Sequence, residues 1–151
     1  AACGGAAIAD DSGLCVDALG GAPGVASAHF APCDMPAVDR EAQRALQDAA
    51  NNRLLLARMS GQTDRRASFV STLVALRHAA DPQPLIAFGR WSAEILTAPA
   101  GDGGFGYDPL VFVPSLGRSV AQLSADEKNR LSHRALAARD MVALIRTHWL
   151  A

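Results

Sequence analysis

Lysine is nearly absent from this 151-residue chain: Lys128 stands alone against thirteen arginines. Cysteine, tyrosine and long apolar runs are scarce as well, and each shortage closes off a class of function. The three cysteines, Cys3, Cys15 and Cys33, are odd in number and never spaced C-x-x-C. That pattern offers neither a disulfide framework nor a cysteine zinc site, so reduced thiols in a cytoplasm are expected. No apolar run approaches the ~18 residues of a spanning helix, and no basic-then-apolar leader is visible within these residues. A net charge of −1 without a basic stripe counts against a surface for duplex nucleic acid. What the chain has in quantity is core material. Half its residues are hydrophobic and its length suits one domain, 1–151, with no repeat, low-complexity tract or linker.

Patterning predicts mixed α and β structure. Ala6 to Ala9 reads as a short buried strand ending at Asp10-Asp11, and Leu14 to Leu19 as a second extended piece after Ser12-Gly13. The glycines and proline of Gly20 to Gly24 are turn chemistry. Apolar residues recur at helical spacing from Val38 to about Met59, with Gly61 as a stop and Asn51-Asn52 as a place to kink or divide the helix. Ala67 to His78, Leu85 to Thr97 and Leu110 to Pro114 read as strands. The tail from Ser124 is helical. Ser124 and Glu127 have capping-box spacing, and Ser132 is placed to open a second helix reaching Trp149.

Three segments carry possible chemistry. Adjacent carboxylates at a strand end, Asp10 and Asp11, repel unless a cation sits beside them. Mg²⁺ with its preference for oxygen suits such a place, and one carboxylate could take a proton from water. A solvated Asp-Asp turn is the competing reading. In "GDGGFGYDP" four glycines flank Phe105, followed by Tyr107, the only tyrosine, and Asp108. An aromatic ring on a glycine turn is placed to stack on a planar base, or else to tuck inward as an anchor. In "SADEKNRLSHRALA", Lys128, Arg130, His133 and Arg134 fall within seven residues. Lys128 and the His133-Arg134 pair converge if the helix breaks near Leu131; the competing reading is a charged helix face. Carboxylates for a metal, a ring for a base and cations for phosphates together make the inventory for a nucleoside polyphosphate.

"IADDSGLCVDALGGAPGVASA" (8–28), "GGFGYDPLVFVP" (103–114) and "EKNRLSHRALA" (127–137) resemble the inosine triphosphate pyrophosphatase family, the XTP/dITP diphosphatases, in order and over nearly the whole chain. The resemblance implies hydrolysis of ITP, dITP and XTP to the monophosphate and pyrophosphate, with Mg²⁺, in a homodimer. It implies an α/β fold, an elongated mixed sheet flanked by helices with substrate in a central cleft. By resemblance Asp11 is the proton acceptor and metal carboxylate, with Asp10 beside it at the metal, and Ser12 contacts substrate. Phe105, Gly106, Tyr107 and Asp108 form the base and sugar pocket, Lys128 binds substrate, and His133 and Arg134 favour a 6-oxo purine.

The family begins with a strand, a Ser/Thr-x-Asn-x-x-Lys loop and a long helix, for which nothing before Ala1 offers a match. The expectation is therefore a fragment lacking part of the phosphate site, with an exposed apolar face and little activity by itself. The alternatives are a non-catalytic remnant that binds a nucleotide or a partner subunit, and a pyrophosphatase acting on other modified triphosphates.

Overall fold

The computed structural model describes residues 4–33 and 38–150, so Cys3 lies outside the described residues. Five strands form one sheet in sequence order: β1 (Ala7–Val16), β2 (Arg66–Leu76), β3 (Leu85–Ile95), β4 (Val111–Val113) and β5 (Arg118–Ser119). The helices are α1 (Arg40–Arg58), α2 (Ala125–Leu131) and α3 (His133–His148). The expected α/β architecture of a sheet with helices is present. Every pairing among the described strands is antiparallel rather than mixed.

The first strand differs from the sequence reading. β1 does not stop at Asp10-Asp11 but runs straight through them, paired with β2 as Asp10↔Leu73, Asp11↔Thr72 and Ser12↔Ser71. Asp, Ser and Gly are poor strand formers alone. Ten consecutive pairs with a β-branched and apolar partner strand override that local preference. Since side chains alternate along a strand, Asp10, Ser12 and Leu14 share one face while Asp11 and Gly13 share the other.

The helices cover the Leu14 face. Leu14, Phe69 and Trp91 sit opposite one another across three strands and pack in one buried cluster with Leu55 of α1 and Met59 at its C-terminal cap. Met141 of α3 packs on Ala75, Leu85 and Ala87 further along the same face. The other face shows through in the strict alternation of β3, where Ile86 and Phe88 are exposed.

α1 runs unbroken through Asn51-Asn52, capped at its start by Asp39, whose carboxylate accepts from the Ala42 amide at 2.8 Å. Near the tail, Ser124 and Glu127 close their capping box, and Ser132, extended between α2 and α3, caps the latter. α3 begins directly over Gly89 of β3. A Cβ at Gly89 would run into the His133 carbonyl, so the bare glycine lets the first turn of α3 lie against the sheet.

Candidate active site

The break at Ser132 sets Lys128 in the last turn of α2 and His133-Arg134 in the first turn of α3, both facing the glycine loop and β1. Between them opens a cavity of about 1450 Å³, larger than the ~300–1,000 Å³ of a typical small-molecule pocket. Of the residues singled out from sequence, Asp10, Asp11 and Arg130 lie outside its lining and the others meet there. Ser12, Phe105, Gly106 and Tyr107 line the cavity from β1 and the loop, and Asp108, Lys128, His133 and Arg134 complete it. Asp10 meets it through Ser12 and Arg134, whose side chains it binds, and Asp11 is not part of its lining.

Phe105 is 60% exposed, whereas Asp108 behind it is 2% exposed. One oxygen of Asp108 accepts from the Phe105 amide at 2.9 Å and pairs with the Lys128 ammonium. Lys128 also lies over the Phe105 ring, 4.2 Å from its centroid, a cation–π contact that fixes the ring. A compact ammonium serves both the carboxylate and the ring. Tyr107 is buried and donates to the Ser27 carbonyl at 2.8 Å. Burial, and next the charge of Asp48, push its phenol above the usual range.

Asp10 shows what neutralises the acidic pair. Its carboxylate accepts from Ser12 Oγ at 2.8 Å, Ser71 Oγ at 3.0 Å and Arg134 Nε at 2.8 Å. Burial raises its pKa, but the bonds from Arg134, Ser12 and Ser71 outweigh that and hold it below the usual carboxylate range. The two carboxylates expected to share a metal thus differ in their surroundings. Asp10 is engaged by arginine and serine, and Asp11 points to the opposite face. Among the described residues no hydrogen bond or ion pair engages Asp11, and no three His, Cys, Asp or Glu side chains are grouped to hold a metal. Mg²⁺ is commonly held by one or two carboxylates together with substrate phosphates. A lone unengaged carboxylate such as that of Asp11 fits that manner of binding.

His133 stacks on Phe69 with centroids 4.9 Å apart and 19° between planes. It is 6% exposed, and its Nδ1 is buried without a partner. Burial, then the charge of Arg134, lowers its pKa to about 4, so the ring is neutral near pH 7. The unfolded chain takes up this proton near pH 6.5 while the folded chain resists until about 4. Stability is therefore fully present above pH 6.5 and is lost as pH falls through that window. The expected result is a melting temperature that declines between pH 6.5 and 4.5, before the low-pKa carboxylates titrate. In His133→Asn that decline is flattened; an unchanged slope would show that His133 is protonated in the fold.

Helix α1 also reaches the site, which the sequence reading missed. The Asp48 carboxylate accepts from the Gly106 amide at 2.8 Å, and the Asn52 amide donates to the Gly106 carbonyl at 2.9 Å. Asn51, buried next door, holds the Ser27–Ala31 segment by accepting from the Ala31 amide and donating to the Ser27 and Ala28 carbonyls. The available signal was an asparagine pair inside an amphipathic helix, where asparagine is a poor helix former. It marks loop anchoring rather than a kink.

Residues 1–144 match the Ham1 family. The chain belongs to the Ham1 family. It is 79% identical over 146 residues to the dITP/XTP pyrophosphatase of Methylibium petroleiphilum, covering 97% of this chain and 70% of that protein. It is 64% identical to the dITP/XTP pyrophosphatase of Leptothrix cholodnii, covering 95% and 69%. Among solved structures, a HAM1 protein from Coxiella burnetii superposes with a TM-score of 0.83 at 37% identity, over 95% of this chain and 68% of that one. The Staphylococcus aureus Ham1 protein gives 0.83 at 36%, over 97% and 69%. This Ham1 chain thus spans about 70% of the length of the first of these relatives, and the Phe105 loop, Lys128 and the His133-Arg134 turn all fall within the span that matches the family.

Proposed function

We propose that this Ham1 chain hydrolyses non-canonical purine nucleoside triphosphates, dITP, ITP and XTP, to the nucleoside monophosphate and pyrophosphate. The names of its close relatives support the reaction. The observation that carries the residue roles is the exposed Phe105 ring, a neutral His133 and a carboxylate-anchored Arg134 lining one cavity. The purine stacks on the face of Phe105 that Lys128 leaves open. Arg134 gives its Nε to Asp10 and keeps its other N–H donors, which suit a 6-oxo acceptor and mismatch the amino donor of adenine. A neutral His133, stacked on Phe69, forms the wall beside Arg134.

Asp11 takes the proton of a water that attacks the α-phosphorus. The new P–O bond forms as the α–β anhydride bond breaks, and pyrophosphate departs. Asp11 is also the residue that would hold Mg²⁺ together with the phosphates, and the ion supplies charge neutralisation there when bound. Ser12, next to Asp11 on the cavity side, orients the substrate. Exposed Ile86 and Phe88 offer apolar surface of the kind the proposed homodimer would use.

Phosphorus NMR on ITP with Mg²⁺ should show inosine monophosphate and pyrophosphate appearing together, with ATP and GTP turned over far more slowly. Orthophosphate as the first product would refute α–β cleavage, and binding without turnover would favour the non-catalytic alternative. Phe105→Ala should raise KM for ITP by about 5- to 150-fold with kcat little changed, as loss of ~1–3 kcal/mol of base stacking requires. An unaltered KM would remove the ring from the base site.

A further inference from the structure

Phe105 presents its ring to the cavity from a turn that closes at Gly106, whose φ is +61°. That left-handed conformation is open to glycine and unfavourable for other residues, so something must select it from the many available to a glycine-rich loop. The loop itself supplies two ties, as the Phe105 amide donates to the Asp108 carboxylate and the Asp108 amide donates to the Phe105 carbonyl. The other two come from α1. Asp48 takes the Gly106 amide proton and Asn52 gives one to the Gly106 carbonyl, so one peptide unit on each side of Gly106 is fixed from the same helix. Asp48 and Asn52 are four residues apart and therefore neighbours on one helical face.

The Asn52 side chain has a further peculiarity. Its Oδ1 is buried with no partner, which is unfavourable for a polar atom. Reversing the amide would set that oxygen against the Gly106 carbonyl, so the orientation is dictated by the loop. α1 is in turn tied to the other cavity wall, because Asn51 and Tyr107 both donate to the Ser27 carbonyl.

We infer that Asp48 and Asn52 are positioning residues for the base site: together they clamp Gly106 and thereby aim the Phe105 ring at the bound purine. The inference deepens the functional reading above and rests on it for the identity of the ligand. Neither side chain is required to touch the reacting phosphate.

The test uses one near-isosteric change, one truncation and one conservative rescue. Asn52→Asp removes the donor to Gly106 with the shape kept, and Asp48→Ala removes the acceptor. Asp48→Asn retains an acceptor oxygen and serves as the conservative rescue. Loss of one such bond should raise KM for ITP about five- to tenfold with kcat within about twofold of the parent. Inhibition by inorganic tripolyphosphate, which has no base, should be unchanged, and Asp48→Asn should stay near the parent value. By NMR, exchange of the Gly106 amide should accelerate ~10-fold or more in Asp48→Ala, with the Phe105 amide still protected by Asp108.

An unchanged Gly106 exchange rate would overturn the clamp, as would a fall in kcat at constant KM or an equal loss of tripolyphosphate affinity. The exchange measurement needs no turnover. If the parent protein releases no pyrophosphate from ITP, the functional reading fails while the clamp is still decided by the amide.

Discussion

Lys128→Met is expected to destabilise the fold by about 3 kcal/mol, the order seen when one partner of a buried ion pair is removed. Asp108 has a side chain only 4% exposed and Lys128 one 20% exposed. Methionine fills the volume of the lysine stem but leaves the carboxylate with the Phe105 amide as its one remaining donor. The deficit is the desolvation of that charge. Adding Asp108→Asn to Lys128→Met should therefore restore much of the stability without restoring nucleotide affinity. Denaturant titration of the two single variants and the double variant checks this. If the losses simply add, Asp108 and Lys128 are not coupled and the short internal pair is incidental. The same pair explains why the only lysine sits here: arginine's broad planar fork does not offer one compact charge to both the carboxylate and the ring face.

Asp11→Asn should lower kcat for ITP by roughly 10²–10⁴-fold, the usual contribution of a positioned proton acceptor, with nucleotide binding retained. Asparagine keeps the shape and the strand pairing with Thr72 but cannot accept the proton of the attacking water. Asp10→Asn should behave differently. Its loss loosens Arg134 and should register chiefly as weaker discrimination between ITP and ATP. Single-turnover kinetics alongside calorimetric binding separates the two outcomes. A near-parental rate in Asp11→Asn would take the residue out of the chemistry. The role assigned to Asp11 also requires the reacting phosphate to lie along the outer edge of β1, because Asp11 and Ser12 face opposite sides of that strand.

What could be read from sequence follows the range of the interaction. The Ser124–Glu127 capping box and the Ser132 cap are written within four residues and were legible as such. The break between α2 and α3, and with it the convergence of Lys128 with His133-Arg134, followed from those caps. The course of β1 was not legible, since Asp-Asp-Ser-Gly signals a turn and only pairing with a strand some 60 residues away holds it extended. Arg134 as the partner of Asp10 spans 124 residues and leaves no local trace. The same is true of Asp48 and Asn52, which meet Gly106 across 58 and 54 residues. Family motifs marked most of the residues that line the cavity, while the contacts that hold those residues in place required coordinates.

The pleat of β1 has a consequence for how this protein can vary. Substituting one residue of Ala7–Val16 alters one position, but deleting or inserting one exchanges the two sides of everything beyond it. The arginine-bound acid would be turned out toward solvent and its neighbour turned inward against the guanidinium. Drift in composition is tolerable along this ribbon, whereas its count of residues is what inheritance has to preserve.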